Sequence, residues 1–136
     1  MLDSQVAILE NAIARFAATG VVPGPIGSRH PSFTPFQAFA TADGHIVIAA
    51  GNDALFARLC SALGCEALAG DARFASNDDR TRNADALQGA LEAALAGNTS
   101  SHWLARIAQA GIPCAPIQDV AQVLDDPQVE ARNMVI

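Results

Sequence analysis

Pro35–Asp53, PFQAFATADGHIVIAAGND, is the stretch that decides the fold. Phe36, Ala38 and Ala40 alternate with Gln37, Phe39 and Thr41, and Ile46-Val47-Ile48 is a β-branched run, so the stretch reads as two short strands. Ala42-Asp43-Gly44 lies between them. Asp-Gly is a strong short hairpin signal, because Gly accepts the positive φ that a right-twisted hairpin needs. Gly51-Asn52 then turns the chain, and Asp53 is the expected N-cap of a following helix, its carboxylate accepting from free N–H groups of the first turn. The unit is strand, turn, strand, helix, with helices packed on the sheet.

Downstream, Asp53–Leu63 carries Leu55, Phe56, Leu59, Cys60 and Leu63 at helical spacing and stops at Gly64. A helical turn over Glu66–Ala69 and a loop anchored by Phe74 lead to the polar run Asn77–Arg82, read as a cap for the next helix. Asn83–Ala96 is that helix, with Leu87, Leu91 and Leu95 on one face, ended by Gly97. Thr99 or Ser100 caps another helix, which buries Trp103, Leu104 and Ile107 and ends at Gly111, with Pro113 blocking continuation. Cys114–Gln118 is extended. Asp119–Leu124 and Asp126–Ala131 are short helices, the second with Pro127 at its first position, where no N–H is needed. The apolar tail Asn133–Ile136 reads as the start of another element.

Upstream, Leu2, Val6, Leu9, Ile13 and Phe16 recur at spacings of three and four and predict one helix over Leu2–Thr19. Gly20–Pro35 comes next, with four prolines and three glycines, and is neither helix nor central strand. A connection this long is a linker or a functional loop, so the first helix is expected to serve another structural unit.

The 136 residues fit one domain, and half of them are apolar. Every basic residue is Arg, and the net charge of −6 argues against nucleic acid or an anionic membrane surface as partner. No apolar run is long enough to span a bilayer. The basic n-region of a signal peptide is missing from MLDSQVAILENAIARF, which points to the cytoplasm. Cys60, Cys65 and Cys114 match no zinc or redox spacing well and read as small buried apolar residues. His30, His45 and His102 form no ligand pair, so no metal site is expected. Ser32 and His30 are too close in sequence, with no third partner, to suggest a triad. Asp43, Asp53, Asp119 and Asp126 sit where turns and caps want them. Arg80 and Arg82 are expected to pair with Asp78, Asp79 or Asp85.

One ordered set of segments remains: MLDSQVAILENAIARF, then Thr19-Gly20, HPSFTPFQAFATADGHIVIAAGND, DARFASNDDRTRN, Trp103 with AGIPCAPI, and DDPQVEARNM. In that order it resembles the family III CoA-transferases, which include formyl-CoA transferase, carnitine CoA-transferase, bile acid-inducible protein F and α-methylacyl-CoA racemase. The resemblance runs along nearly the whole chain.

It implies an α+β fold: the family's small domain, a short antiparallel β-sheet with several packed helices, preceded by a helix and a Pro/Gly-rich linker. Residues 1–19 would be a helix leading out of a large Rossmann-like domain that this sequence lacks, residues 20–35 the linker and residues 36–136 the small domain. The implied activity is transfer of coenzyme A between carboxylic acids through an aspartyl-CoA intermediate in an interlocked homodimer. The nucleophilic Asp would lie in the large domain, so no residue here is catalytic and the chain alone is expected to be inactive. Coenzyme A and acyl-CoA would be substrates, with no covalently bound cofactor. Gly27, Ser28, Arg29, His30, Pro31, Ser32, Phe33 and Gln37 would line and lid the acyl pocket. The segment lacks the run of glycines seen in formyl-CoA transferase, and Gln37 stands where the racemases carry a Glu. Both departures point away from those two enzymes. An α-methylacyl-CoA racemase or related acyl-CoA enzyme is the alternative. A stand-alone non-catalytic module, dimerising through Leu2–Phe16, is a second.

Overall fold

The computed structural model describes residues 1–135 of the chain; the last residue of the apolar tail, Ile136, lies outside them. The hairpin forms where the β-branched run places it. Strand β1 (Phe36–Ala40) pairs antiparallel with β2 (His45–Ala49), Phe36 opposite Ala49 and Ala40 opposite His45. Strand β3 (Cys114–Pro116) pairs antiparallel with the other side of β2, giving the order β1-β2-β3. Gln37, Phe39, Ile46 and Ile48 face inward and are buried. The opposite face carries Ala38, Val47 and Ala49, all half-buried.

The turn differs from the expected tight Asp-Gly type. Four residues, Thr41–Gly44, close it with a Thr41 N–H to Gly44 O bond of 2.9 Å, and Gly44 does not take a left-handed φ. The longer loop removes the need for one and frees Asp43 to bond elsewhere. The Asp43 carboxylate accepts from the backbone N–H of Ser100 at 2.7 Å, tying the hairpin to the start of a helix on the other side of the sheet edge. That bond holds the Asp43 carboxyl below its ordinary pKa of 3.8. A depressed carboxylate contributes stability above its unfolded pKa, and the contribution is lost as pH falls through the folded value. Asp43→Asn should therefore show a smaller drop in urea midpoint between pH about 5 and about 3 than the wild type. Equal drops would remove Asp43 from the acid response.

Helix α1 (Leu2–Ile8) and helix α2 (Glu10–Thr19) replace the single expected helix. The break is one residue, Leu9, at φ −81° and ψ 5° with its N–H on Val6 O, after which the ladder resumes. No residue of either helix is buried, and Phe16, the largest of the stripe, is 47% exposed.

The core lies under the sheet. Helix α3 (Asp53–Leu63) contributes Phe56, Leu59, Cys60 and Leu63. Its N-cap is Asn52, whose side chain accepts from Leu55 N at 2.8 Å, rather than Asp53; an extended residue just before the helix is the one whose side chain reaches back to those N–H groups. Asp53 is thereby left to pair outside its own helix. Short 3₁₀ turns at Glu66–Gly70 and Ala72–Phe74 set Phe74 into the core. Asn77–Arg82 is itself a helix, α4, capped by Ser76, not merely a cap for the next one. Helix α5 (Ala84–Leu95) presents Leu87, Leu91 and Leu95, and α6 (Ser100–Gln109), capped by Thr99, buries Trp103 and Ile107. Helices α7 (Val120–Leu124) and α8 (Pro127–Ala131) bury nothing, though Asp119 completes a capping box with Gln122 and Asp126 caps α8. Among the described residues no helix is long and apolar enough to cross a membrane.

Candidate functional site

The proline-rich approach to β1 is a strap laid along the open edge of the sheet. An edge strand presents unpaired N–H and C=O groups, and the strap covers them. His30 N–H donates to Phe36 O at 2.8 Å, and Ala38 N–H donates to the Ser28 hydroxyl at 3.1 Å. Farther along, Ala40 N–H donates to the Glu92 carboxylate of α5 at 3.2 Å. The side chain of Arg29 ties the strap to the same helix, donating to Gln88 Oε1 and to Asp85, each at 2.6 Å. Gln88 passes the contact on to Glu92 at 3.0 Å. Asp85, Gln88 and Glu92 fall on one side of α5 because three and four residues make one helical turn.

Phe33 is fixed from three directions. The side-chain amide of Asn77 brackets it, accepting from Thr34 N at 3.0 Å and donating to Ser32 O at 2.8 Å. Its Cβ sits so close to Gly51 that a methyl group added there would stand 2.7 Å from it. Its ring meets the His30 ring at 4.9 Å, and His30 stacks in turn on Phe36 at 5.2 Å with the planes 6° apart. His30 Nδ1 accepts from the backbone N–H groups of both Ser32 and Phe33, so the ring proton resides on Nε2. Phe33 and Phe36 remain exposed and Pro35 is wholly buried behind them. The result is an aromatic surface on a pinned backbone.

Arg80 holds the underside. It is fully buried, and the expectation for it was a neighbouring acid in its own segment. Instead it leaves its helix and reaches the base of the strap. Its guanidinium donates to Thr34 O at 2.7 Å, to Phe74 O at 3.1 Å, to Gly51 O at 3.2 Å and to Asp53 at 2.8 Å, and it stacks over Phe56 at 4.6 Å. Of the sequential acids, Asp78 and Asp85 are exposed and the half-buried Asp79 is taken by Ser76 and Arg82, whereas three backbone carbonyls and the Phe56 ring converge on the buried spot; a planar five-donor fork fits that arrangement. Arg82 does pair with Asp79, as expected, while Asp85 takes Arg29.

The structure thus brings Gly27, Ser28, Arg29, His30, Pro31, Ser32 and Phe33 together along β1. Gln37 joins the first three of them: its side chain turns inward and is buried, and with Gly27, Ser28, Arg29 and Gln88 it lines a cleft of about 270 Å³ between the strap and α5. Sequence reasoning missed Asn77, Arg80 and Gly51. A signal for the first two was present in RF-x2-N-x2-R-x2-N, Phe74, Asn77, Arg80 and Asn83, a spacing of three that puts polar groups on one helix face. Gly51→Ala should push Phe33 off its seat and cost about 1–3 kcal/mol by overpacking. Thermal unfolding checks the cost and the ring's NMR shifts check the displacement. An unshifted Phe33 ring would contradict the close approach.

A family model described as CoA-transferase family III matches residues 1–136. The chain is 46% identical over 136 residues to the acetyl-CoA:oxalate CoA-transferase of Acetobacter aceti, covering 100% of this chain and 35% of that protein. It is 32% identical over 134 residues to the succinate–glutarate CoA-transferase of Agrobacterium fabrum, covering 98% of this chain and 34% of that protein. Among solved structures, a CAIB/BAIF family protein from Brucella suis superposes with a TM-score of 0.84 at 39% identity, over 96% of this chain and 34% of that one. The chain spans about a third of the length of the relatives it matches.

Proposed function

The chain belongs to CoA-transferase family III, and from that membership we propose that it is the small domain of a longer enzyme that moves coenzyme A from an acyl-CoA to a dicarboxylic acid. The observation carrying this reading is the match to the whole chain by CoA-transferases about three times its length. Oxalate and glutarate, named in those two relatives, are both dicarboxylates.

In this reading the nucleophilic carboxylate belongs to the remainder of the longer protein. It attacks the acyl-CoA thioester, expels the CoA thiolate and forms a mixed anhydride. The thiolate returns to the aspartyl carbonyl, giving aspartyl-CoA and free acid, and the acceptor carboxylate then takes its turn. Each of these acyl intermediates hydrolyses if water reaches it. The strap supplies what excludes water: the Phe33 and Phe36 rings on a backbone pinned by Asn77, Arg29 and Arg80. Residues 1–19 join the two domains, residues 20–35 carry the chain into the strap, and two subunits interlock.

The test compares the full-length gene product with the 136-residue chain alone, using acetyl-CoA with oxalate and succinyl-CoA with glutarate. The longer protein should form the new thioester, and hydroxylamine should trap an acylated Asp outside residues 1–136. The chain alone should give no product. Turnover by the chain alone would overturn the division of labour, and epimerisation without transfer would favour the racemase.

A further inference from the structure

The end of α3 folds one cysteine back over another. Gly64 takes φ +71°, its N–H donates to Ser61 O at 3.2 Å, and the next N–H, that of Cys65, reaches back to Cys60 O at 2.9 Å. This pair of bonds is the Schellman helix ending, in which the residue after the glycine folds back over the residue five positions earlier and their side chains touch. In most proteins that contact is apolar. Here its two members are Cys60 and Cys65. Cys60 is wholly buried, while Cys65 is only half-buried at the surface.

We propose that Cys60 and Cys65 are a redox-active dithiol that closes reversibly into an intramolecular disulfide. The α-carbons that a disulfide joins lie about 4.4–6.8 Å apart, and the turn that brings the Cys65 N–H onto the Cys60 carbonyl draws the two residues together. Division of roles follows from exposure: Cys65 attacks and Cys60 resolves. The electrostatics agree, since the neighbouring Cys60 thiol holds Cys65 below the usual cysteine range, whereas the Cys65 group and burial push Cys60 up.

With a glutathione-type disulfide as oxidant, the Cys65 thiolate attacks one sulfur, the oxidant's S–S bond breaks and one glutathione thiolate leaves. Cys60 gives up its proton and attacks the Cys65 sulfur, displacing the second glutathione thiolate. The two protein protons end on the two glutathione thiols; two protein thiols are oxidised and one disulfide is reduced. The new bond staples the last turn of α3 to the 3₁₀ turn at Glu66–Gly70.

The experiment equilibrates the protein with oxidised glutathione, blocks free thiols with iodoacetamide and maps the peptides without reductant. The expected product is a Cys60–Cys65 linked peptide, two hydrogens lighter than the reduced pair, with Cys114 alkylated, and it should vanish on treatment with dithiothreitol. In Cys65→Ser, a half-buried site that tolerates the change, Cys60 should stay unoxidised; in Cys60→Ala, Cys65 should accumulate as the mixed disulfide. A stable mixed disulfide on wild-type Cys65, a link to Cys114 or three alkylated cysteines would each overturn the proposal.

Discussion

Arg80→Met lowers the unfolding free energy by about 3–5 kcal/mol, the largest loss expected from any single polar change in this protein. The methionine fills much of the space and keeps some contact with Phe56, so the loss is not chiefly of packing. It comes from Thr34 O, Gly51 O and Phe74 O, three carbonyls at the base of the strap that lose their donor inside the protein. Each buried acceptor left without a partner costs about 1–3 kcal/mol. Asp53 contributes little to the penalty, since its side chain is 70% exposed and recovers water. Arg80→Lys should recover only a part, because one ammonium group has neither the reach nor the planar fork to serve three carbonyls and a carboxylate. Chemical denaturation measures the loss, and hydrogen exchange at Thr34 and its neighbours locates it. A loss below about 1 kcal/mol in the Met variant would show that water replaces the guanidinium without penalty.

Trp103→Ala should cost about 3–5 kcal/mol by the cavity it opens. Trp103 is 4% exposed, on the inward face of α6 with Ile107, and its ring is the largest side chain in a core otherwise built from Leu, Ile, Phe, Ala and Cys. The indole also makes a polar contact. Its N–H donates to Leu95 O at 2.7 Å, closing the C-terminal end of α5, where carbonyls have no helical partner. Trp103→Phe separates the two contributions. It keeps most of the apolar volume and removes the donor, so it should cost about 1–3 kcal/mol. Equal losses for Ala and Phe would mean that the hydrogen bond, not the volume, sets the value of this side chain.

The two strands of the hairpin, helices α3 and α5 to α8 and most of the core were legible in the sequence because they rest on local rules. Ile46-Val47-Ile48 prefers an extended backbone wherever it is placed. Leu87, Leu91 and Leu95 must share one face of a helix, and Gly64, Gly97 and Gly111 end helices whatever surrounds them. The family could be read from the order of short segments, an order that does not depend on contacts. Where the local rules admitted two answers, the neighbourhood chose. Asn52 took the cap and left Asp53 for Arg80. Asp43, within the hairpin turn, took Ser100 across the sheet edge as well as Thr41 beside it.

The candidate site was legible as a set of residues and not as an arrangement. Gly27–Phe33 stood out by composition, but the groups that pin it lie 43 to 59 residues away, in Asn77, Arg80 and Gln88. Arg80 in sequence is one of several charges in a polar run, with acids beside it on which to pair. Its burial follows from α4 packing behind the strap, where three carbonyls from three separate segments point at one volume. The thiol pair obeys the same logic, since a spacing of five residues says nothing until a left-handed glycine folds the second cysteine back on the first. By itself, then, the sequence determined the elements and the family, because propensity, periodicity and segment order act within a few residues of one another. Only the tertiary structure decided which polar groups meet, because those partnerships are set by long-range packing that no local spacing encodes.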